Sequence, residues 1–379
     1  MTVESVNSNE TKLNLLNLIF LSGTPILALI MAIWHFIVFG IGKIELVIFF
    51  FWYFACGLSI TVGYHRLFSH RSHTAIWPLR LFYALFGAGA FQNSILEWSS
   101  DHRNHHKDTD SDKDPYNALR GFWWSHIGWI IIEDDIGEPD YTNVKDLQKD
   151  WVVMFQHNHI FKIGFIIGMV LPGIVGYMFG GLATGIGGFV WGGLVRTVFV
   201  HHGTFFINSA AHVWGKQPYA TQNTSKDSFW LAFLTFGEGY HNFHHTFQAD
   251  YRNGIRWWQW DPSKWCIWLG SIFKFNRGLK RTPDWSIGLA KMRTKFESLV
   301  PVSGKERFIL IFEERFDEMC NSFKEQKRKL KSYKAEMVES SKQIHDEIKS
   351  QVKDLKKSIR EIESQFEKLV IEMTNYSLT

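Results

Sequence analysis

The sequence predicts an all-α membrane protein with four transmembrane helices, a cytoplasmic helical cap rich in histidine, and a long C-terminal coiled-coil helix. Three observations lead to this fold class. Apolar runs long enough to cross a bilayer alternate with polar segments in the first part of the 379-residue chain. Histidine occurs 17 times, and much of it is grouped in short motifs. The last part of the chain repeats apolar residues at heptad spacing.

The bulk composition excludes some classes of protein. A net charge of +4 is small for this length and is not typical of a nucleic-acid-binding protein, so membrane lipid is the expected partner and nucleic acid is not. Cys56, Cys266 and Cys320 are far apart in the chain and odd in number. We therefore expect three reduced thiols in or facing a reducing compartment.

The first two predicted spans form a hairpin. Residues 1–14 are a polar N-terminus without the features of a cleaved signal peptide. Residues 15–39 and 44–63 are mostly apolar, and each run is long enough to cross a bilayer. His35 interrupts the first span, where we expect a polar side chain near the far interface rather than a metal ligand.

Two further spans are predicted at residues 161–179 and 182–207, joined by a tight turn at Gly180-Gly181. Both are rich in glycine, which allows helices to pack closely in lipid. His201 and His202 lie near the end of the last span, where we expect a polar helix end. Four spans place both chain termini on the same side of the membrane.

Two other apolar segments are predicted to lie at the membrane interface. Residues 77–96 are interrupted by Arg80, Gln92 and Asn93, which favours a helix at the interface or packed on the cap over a further span. Residues 255–275 contain five tryptophans, and indole prefers the interface.

The distribution of positive charge predicts the orientation. Residues 64–158 carry nine Lys and Arg, whereas the two short turns carry only Lys43. Because positive charge marks the cytoplasmic side, we predict a multi-pass membrane domain over residues 15–300 whose termini and histidine motifs are cytoplasmic.

The tail, residues 304–379, has a different composition. Its 16 Lys and Arg nearly balance 15 Asp and Glu, which favours a solvated helix over a basic lipid anchor. Eight apolar residues are spaced alternately by four and three: Ile348, Val352, Leu355, Ile359, Ile362, Phe366, Leu369 and Met373. This seam needs a partner, either another copy of the tail, giving a homo-oligomer, or a surface of the same chain.

The histidine motifs predict a metal site with more than one ion. His102, His105 and His106 repeat the spacing of His241, His244 and His245, and on a helix such residues share one side. His65 and His70 are five apart, so we expect the helix to bend or end between them. His212 lies four residues after Asn208. Nine imidazoles exceed what one ion needs, which indicates two.

The ligand type narrows the chemistry without choosing the metal. Without a cysteine cluster, iron–sulfur and structural zinc sites are not expected. Imidazole suits iron, zinc, copper and nickel alike. Two redox metals beside lipid fit the activation of O2 for attack on an unactivated C–H bond.

The motifs HRLFSH, EWxxDHRNHH, NSAAHxxG and GEGYHNFHHTFxxDY resemble the membrane fatty acyl desaturases, specifically the delta-9 acyl-CoA family, over residues 40–290. The resemblance implies a di-iron centre that uses O2 and two electrons to form a cis double bond between C9 and C10 of a saturated acyl chain. It also implies that Asn208 holds a metal through water. The implied ligands are His65, His70, His102, His105, His106, His212, His241, His244 and His245.

The resemblance also implies substrate contacts. Gln92, Trp98 and Thr204 match residues lining a kinked tunnel, and Phe205 stands where animal members have Trp. Asn93 and Asp101 match polar contacts to coenzyme A. Tyr53 and Gly57 match the closed end of the tunnel, although ordinary helix packing explains them equally well. A glycine at position 57 predicts room for about sixteen to eighteen carbons.

Two departures from the animal members concern the acyl carrier. Ser100 replaces an Arg, and Glu133-Asp134 replaces an Arg-Lys pair that would face coenzyme A phosphates. Losing these cations weakens a phosphate contact. The segment Phe122–Trp129 resembles bacterial and plant-type members, some of which act on acyl groups esterified to lipids. Acyl-CoA is therefore the first expectation and lipid-linked acyl the second.

The electrons for the reaction are expected to come from a separate protein. The sequence contains neither a His-Pro-Gly-Gly haem segment nor a glycine-rich nucleotide motif, so we expect a separate cytochrome or ferredoxin-type donor with its reductase. Zinc could replace iron in purified protein. One alternative is a hydroxylase of the same superfamily, which leaves an alcohol. A non-enzyme alternative is an inactive lipid-binding scaffold.

Overall fold

The computed structural model describes residues 12–133, 141–299, 305–339 and 342–377. The chain forms two compact units. The first contains the described residues up to Lys216 together with Asn223–Arg281, and the second contains Gln217–Gln222 together with the described residues from Thr282 onward. Asp134 of the Glu133-Asp134 pair and the first eleven residues of the polar N-terminus lie outside the described residues.

Helices dominate the first unit. Its α-helices are α1 Leu15–Phe39, α2 Lys43–Leu58, α3 Trp77–Ala88, α4 Ile95–Asp108, α5 Trp129–Ile131, α6 Trp151–Asn158, α7 Ile160–Phe165, α8 Leu171–Gly187, α9 Arg196–Asn208, α10 Ala210–Val213, α11 Phe229–Leu234, α12 His241–Thr246 and α13 Pro262–Ile272. Four π-helical segments occupy Ser59–Ser69, Trp124–Gly128, Ile166–Val170 and Gly188–Val195. Short 3₁₀ turns cover Ala118–Arg120, Thr142–Val144 and Leu147–Lys149.

Four two-residue strands form two antiparallel pairs. β1 Lys12–Leu13 pairs with β3 Ile132–Glu133, and β2 Thr74–Ala75 pairs with β4 Asn276–Arg277. Each pair joins segments that are distant in sequence by backbone hydrogen bonds.

Three helical stretches among the described residues are long and apolar enough to cross a membrane: Leu15–Phe39, Lys43–Ser69 and Ile160–Val213. The chain therefore has the helices of a membrane protein. His35, on the first stretch, is fully buried; its Nε2 lies 3.2 Å from the carbonyl oxygen of Ala183, and its Nδ1 accepts a hydrogen bond from Trp191. It belongs to neither group of converging histidines described below.

The third stretch contains a reversal of the chain at Gly181. Its φ of 74° and ψ of −161° are not helical, and this backbone conformation favours glycine. After the reversal the two arms pack closely at glycine positions. A methyl group on Gly176 would lie 2.3 Å from the carbonyl oxygen of Thr184, and one on Gly188 would lie 2.2 Å from that of Pro172. The reversal falls at the predicted Gly180-Gly181 turn.

The π-helical segment Ser59–Ser69 continues α2 and ends one residue before His70. The backbone N–H of His70 donates to the carbonyl oxygen of His65 at 3.1 Å, an i to i+5 hydrogen bond. A wider helix places residues five apart on the same face. The helix thus ends between the two histidines, as expected, and its widening removes the need for a bend.

The stretch 77–96 is two helices rather than one. α3 ends at Ala88, and a non-helical connection leads to α4, whose first turn is capped by Ser94 with Glu97. The fully buried guanidinium of Arg196 donates to the carbonyl oxygens of Gly89 and Gly168, both at 2.6 Å. This buried cation therefore provides a hydrogen-bond donor to the carbonyl oxygen of Gly89, in the connection between α3 and α4.

The tryptophan-rich segment contains only one α-helix, α13, which begins at Pro262 behind the Asp261 cap. Trp257 is 85% exposed, and Trp258 and Trp268 are more than half exposed. An interfacial position for these indoles stays a prediction.

The second unit contains α14 Asp284–Glu297, α15 Lys305–Glu339 and α16 Lys342–Ser377. α15 and α16 run antiparallel, because Arg315 pairs with Glu372 while Lys327 pairs with Glu363. Seven of the eight seam residues of α16 are buried, and Phe366, Leu369 and Met373 form one cluster with Phe316 of α15. The tail is two helices rather than one, and the same chain supplies the partner for the seam.

Candidate metal centre

Nine histidines converge in two separate groups. Each contributes one ring nitrogen, and within each group these atoms all lie within 4.8 Å of one another. This spread is close to the span of two opposed metal–nitrogen bonds of about 2.1 Å each. The first group is His65, His70, His102, His106 and His244, and the second is His105, His212, His241 and His245.

The five nitrogens of the first group are in contact. Nε2 of His65 lies 2.9 Å from Nε2 of His244, which in turn lies 2.9 Å from Nε2 of His106. Nε2 of His70 lies 2.8 Å from Nε2 of His102. His65 lies in the π-helical segment and His70 directly after it, while the other three lie on α4 and α12, so three distant parts of the chain build the group.

The four ring nitrogens of the second group also lie close together. Nε2 of His241 lies 3.1 Å from that of His212 and 3.0 Å from that of His245. Nε2 of His245 lies 3.2 Å from that of His105. Each HxxHH motif therefore serves both groups: the residues four apart stay together, and the remaining histidine points to the other group.

Hydrogen bonds on the opposite ring nitrogens orient several of these imidazoles. Nδ1 of His65 lies 2.8 Å from Glu238, and Nδ1 of His105 lies 2.8 Å from Asp114. A proton donated from Nδ1 to a carboxylate leaves the Nε2 lone pair facing the centre of its group. Inward-facing lone pairs in such close contact fit a cation in each centre.

Further hydrogen bonds support the second group of histidines. Nδ1 of His212 lies 2.8 Å from Oγ1 of Thr224, whose hydroxyl donates to Asp110 at 2.8 Å. Asp114 also accepts the backbone N–H groups of Asp110 and Tyr116. Asp110 and Asp114, which follow α4, thus pack against the histidines.

Burial keeps six of the converging imidazoles neutral. Desolvation holds the pKa values of His70, His102, His106, His241, His244 and His245 well below the usual value, and neighbouring imidazoles lower them further. Neutral imidazole is the form that binds a metal, so the apolar packing around the groups prepares the ligands.

A cavity of about 220 Å³ adjoins both groups of histidines. His65 and His102 of the first group and His105 and His241 of the second line it. Six of the predicted substrate residues also line it: Gln92, Asn93, Trp98, Asp101, Thr204 and Phe205. Asn208 lines it too, so the predicted polar and aromatic contacts share one cavity with the histidines.

The cavity wall is braced by polar contacts. Nε2 of Gln92 donates to Oγ1 of Thr204 at 2.9 Å, which joins the segment before α4 to α9. Trp98 stacks on His102 with ring centroids 4.7 Å apart. Burial and the charge of Glu97 raise the pKa of Asp101 to about 7.

Tyr53 and Gly57 line a second, smaller cavity of about 10 Å³. Thr61, Thr204 and Ile207 line both cavities, so the two are neighbours. Phe236, which follows α11, places its aromatic ring in the space beside Gly57 where a side chain would otherwise lie.

Comparison with known proteins decides the family. The profile of the fatty acid desaturase family matches residues 44–262, more than half of the chain. The chain belongs to the fatty acid desaturase family. The match includes α4 and α12, which carry the two HxxHH motifs of this family member.

Three relatives illustrate the similarity. Acyl-CoA desaturase 1 of Saccharomyces cerevisiae is 40% identical over 280 residues, 73% of this chain and 54% of the yeast protein. An acyl-CoA desaturase of Cyprinus carpio is 41% identical over 207 residues, 53% of this chain and 63% of the carp protein. The sn-1 stearoyl-lipid 9-desaturase of Synechocystis is 36% identical over 232 residues, 60% of this chain and 69% of that protein. The chain thus spans about half the length of the yeast desaturase.

Ser100 and Glu133, which depart from the pattern expected of animal members, belong to neither histidine group. Ser100 is buried, and its hydroxyl donates to Oδ1 of Asn143 at 2.9 Å. Glu133 is exposed on β3, where it stands opposite Lys12.

Two histidines of α9 lie outside both groups. His201 is hydrogen-bonded to the carbonyl oxygen of Ala90, and His202 is hydrogen-bonded to His126.

The carboxylates that orient two of the histidines were not predicted from the sequence. Glu238 lies within the GEGYHN motif, three residues before His241, and Asp114 follows His105 by nine residues. Both carboxylates are buried. The expectation that a metal-binding histidine donates its other N–H to a carboxylate would have drawn attention to them.

Proposed function

We propose that this protein is an O2-dependent acyl desaturase that introduces a cis double bond between C9 and C10 of a saturated long-chain acyl-CoA. The observation that carries the proposal is the convergence of five and four imidazole nitrogens at the wall of a cavity lined by apolar and polar side chains. Family membership and the names of the relatives support it.

We propose that the two histidine groups hold two iron ions, with Asn208 contributing through water. A di-iron centre supplies the activation of O2 that removal of hydrogen from an unactivated carbon requires. The chain's own residues bring the nine imidazoles together, and Glu238 and Asp114 fix the orientation of His65 and His105. Zinc fits the same donor set and could replace iron in purified protein.

The substrate chain is proposed to lie in the cavity beside the histidines. Its apolar wall excludes water from the reacting carbons, and Trp98 beside His102 limits where the chain can bend. Asn93 and Asp101 are the proposed polar contacts to coenzyme A, and Gln92, Thr204 and Phe205 are proposed to contact the acyl chain.

The acyl carrier has a second candidate, an acyl group esterified to a membrane lipid. Ser100 turns inward to Asn143, and Glu133 is exposed, so neither offers a cation to a phosphate. The name of the Synechocystis relative, a stearoyl-lipid desaturase, agrees with this alternative. The acyl-CoA names of the yeast and carp relatives keep acyl-CoA first.

The membrane topology is proposed to have four crossings. The reversal at Gly181 divides the stretch Ile160–Val213 into two arms, which with Leu15–Phe39 and Lys43–Ser69 makes four. The charge distribution supports a cytoplasmic location for both termini and the histidine groups. A separate redox protein, of cytochrome or ferredoxin type, would supply electrons there, and a homo-oligomer through the tail stays a proposal.

Complementation tests the proposed function. The protein is expressed in a host that lacks its own desaturase, and the double bonds of acyl-CoA and phospholipid pools are mapped after feeding labelled stearate. We expect a 9,10-cis olefin that appears first in the acyl-CoA pool. A first appearance in phospholipid favours the second carrier, and a hydroxy acid without olefin contradicts desaturation.

A further inference from the structure

The α3–α4 connection, residues 89–94, forms one wall of the cavity beside the histidines. Its residues Phe91, Gln92 and Asn93 line that cavity. Phe91 and Asn93 have φ values of +55° and +63°, in a region that is uncommon for residues other than glycine. Such a backbone persists where the surrounding structure holds it in place. The shape of this wall therefore depends on contacts from other elements.

Arg196 of α9 supplies the first of these contacts. Its side chain is fully buried in an apolar stretch that is long enough to cross a membrane. It donates to the carbonyl oxygens of Gly89 and Gly168 at 2.6 Å each and to that of Gly192 at 3.0 Å. A buried ionisable group in such a stretch is costly, and its presence indicates a functional role. Here the cation joins the start of the α3–α4 connection to the π-helical segment Ile166–Val170.

His201 supplies the second contact, one residue further along the connection. It is buried, and its Nε2–H donates to the carbonyl oxygen of Ala90 at 2.8 Å. Its ring stacks on Phe205 with centroids 5.6 Å apart, and both side chains line the cavity. The same helix also carries Thr204, which accepts the hydrogen bond from Gln92. One helix therefore holds the connection at successive positions.

Close packing limits the connection on its other side. A methyl group on Gly168 would lie 2.8 Å from the carbonyl oxygen of Gly89 and 2.8 Å from Cε2 of Phe91. A methyl group on Gly164 would lie 2.9 Å from the carbonyl oxygen of Ala88. A connection released by α9 would therefore move toward the cavity, where space remains.

We propose that His201 and Arg196 are positioning residues that set which carbons of the acyl chain lie opposite the two histidine groups. They act through the α3–α4 connection, the wall that the chain contacts. The proposal rests on the proposed desaturase function and deepens it, because it assigns control of the double-bond position to two residues that belong to neither histidine group. A displacement of about 1 Å between substrate and catalytic group changes a rate by about 100-fold, so a shifted wall alters which carbons react.

The test maps double-bond positions in the desaturase-deficient host fed labelled stearate. His201→Leu removes the hydrogen bond to Ala90 and keeps a side chain of similar size. It is expected to raise the share of olefin displaced from the main wild-type position by roughly tenfold. His201→Gln carries an amide N–H close to the position of Nε2 and is expected to restore the wild-type distribution. A merely structural role would lower the amount of product without moving the double bond.

A second variant tests the other positioning residue. Arg196→Lys keeps the charge but loses the forked donor that reaches both Gly89 and Gly168, so it is expected to shift the distribution in the same direction. His159→Leu is the matched control. This exposed histidine also bonds a backbone carbonyl oxygen, that of Phe155, and its replacement should leave the distribution unchanged.

The outcomes separate the positioning role from the proposed function. An unchanged distribution in an active His201→Leu or Arg196→Lys protein would overturn the positioning role and leave the proposed function intact. Loss of all olefin in both variants would overturn it as well, since a positioning residue changes where the reaction occurs rather than whether it occurs. A wild-type protein that forms no olefin would instead overturn the proposed function.

Discussion

Glu238 lies 2.8 Å from Nδ1 of His65, and the side chains are only 1% and 5% exposed. The same carboxylate accepts the buried guanidinium of Arg66 at 2.8 Å and the side-chain amide of Asn253 at 2.6 Å. One buried acid therefore compensates a buried cation and orients a converging imidazole. Arg66 has a further buried partner in Asp261.

Glu238→Gln is expected to weaken metal binding by roughly 10- to 100-fold, the usual effect of losing an orienting partner of a ligand. The amide keeps the size of the side chain, and Asp261 still pairs with Arg66, so the fold should persist. Competition with a chelator, read by metal analysis, measures the change. The exposed Glu367→Gln is the control, and a Glu238→Gln protein with wild-type affinity would refute the role of this carboxylate.

His244→Ala is expected to abolish desaturation and leave the protein folded in detergent. His244 lies within 2.9 Å of both His65 and His106, so the variant opens a gap among the converging nitrogens without removing an apolar core side chain. Product analysis and size-exclusion chromatography measure the two effects. His159→Ala, at an exposed histidine, should remain fully active, and full activity of His244→Ala would remove His244 from the proposed ligands.

Gly188→Ala is expected to destabilise the arms that meet at the Gly181 reversal by about 1–3 kcal/mol, since the new methyl group would lie 2.2 Å from the carbonyl oxygen of Pro172. Gly23→Ala on α1 is the matched control, because nothing lies within 4 Å of its new methyl group. That change should be neutral or slightly stabilising. Thermal unfolding in detergent distinguishes the two, and equal melting temperatures would contradict close backbone packing.

Metal-free protein is expected to lose stability as the pH falls below about 6.5. The six buried imidazoles named above have lowered pKa values in the folded state, whereas an unfolded chain takes up protons near pH 6.5. The unfolded state then binds more protons, and each such group lowers the free energy of unfolding by up to about 1.4 kcal/mol per pH unit. Melting temperatures of chelator-treated protein between pH 8 and pH 5.5 measure this slope, and a flat profile would contradict buried neutral imidazoles.

The histidine motifs predicted the candidate site well because residues three and four apart on a helix share a side whatever surrounds them. The division of each motif between two groups was not predictable, since it depends on where α4 and α12 meet. The i to i+5 bond from His70 to His65 was also missed, because a widened helix has no simple sequence signal.

The surroundings of Gly57 show the same limit. Gly57 alone suggested open space, and only the fold brings Phe236, 179 positions further along the chain, onto that glycine. The heptad seam was predictable from spacing, but its partner was not, because another copy and α15 satisfy an apolar stripe equally well. Local periodicity therefore predicted the elements, and long-range packing decided what they face.

We propose that nine histidines form two metal sites in one chain. Metal analysis of the protein purified without chelator from iron-replete cells, normalised to protein by amino-acid analysis, measures the number of bound ions. We expect two transition-metal ions per chain, iron or its zinc substitute. One ion per chain, or none, would contradict it.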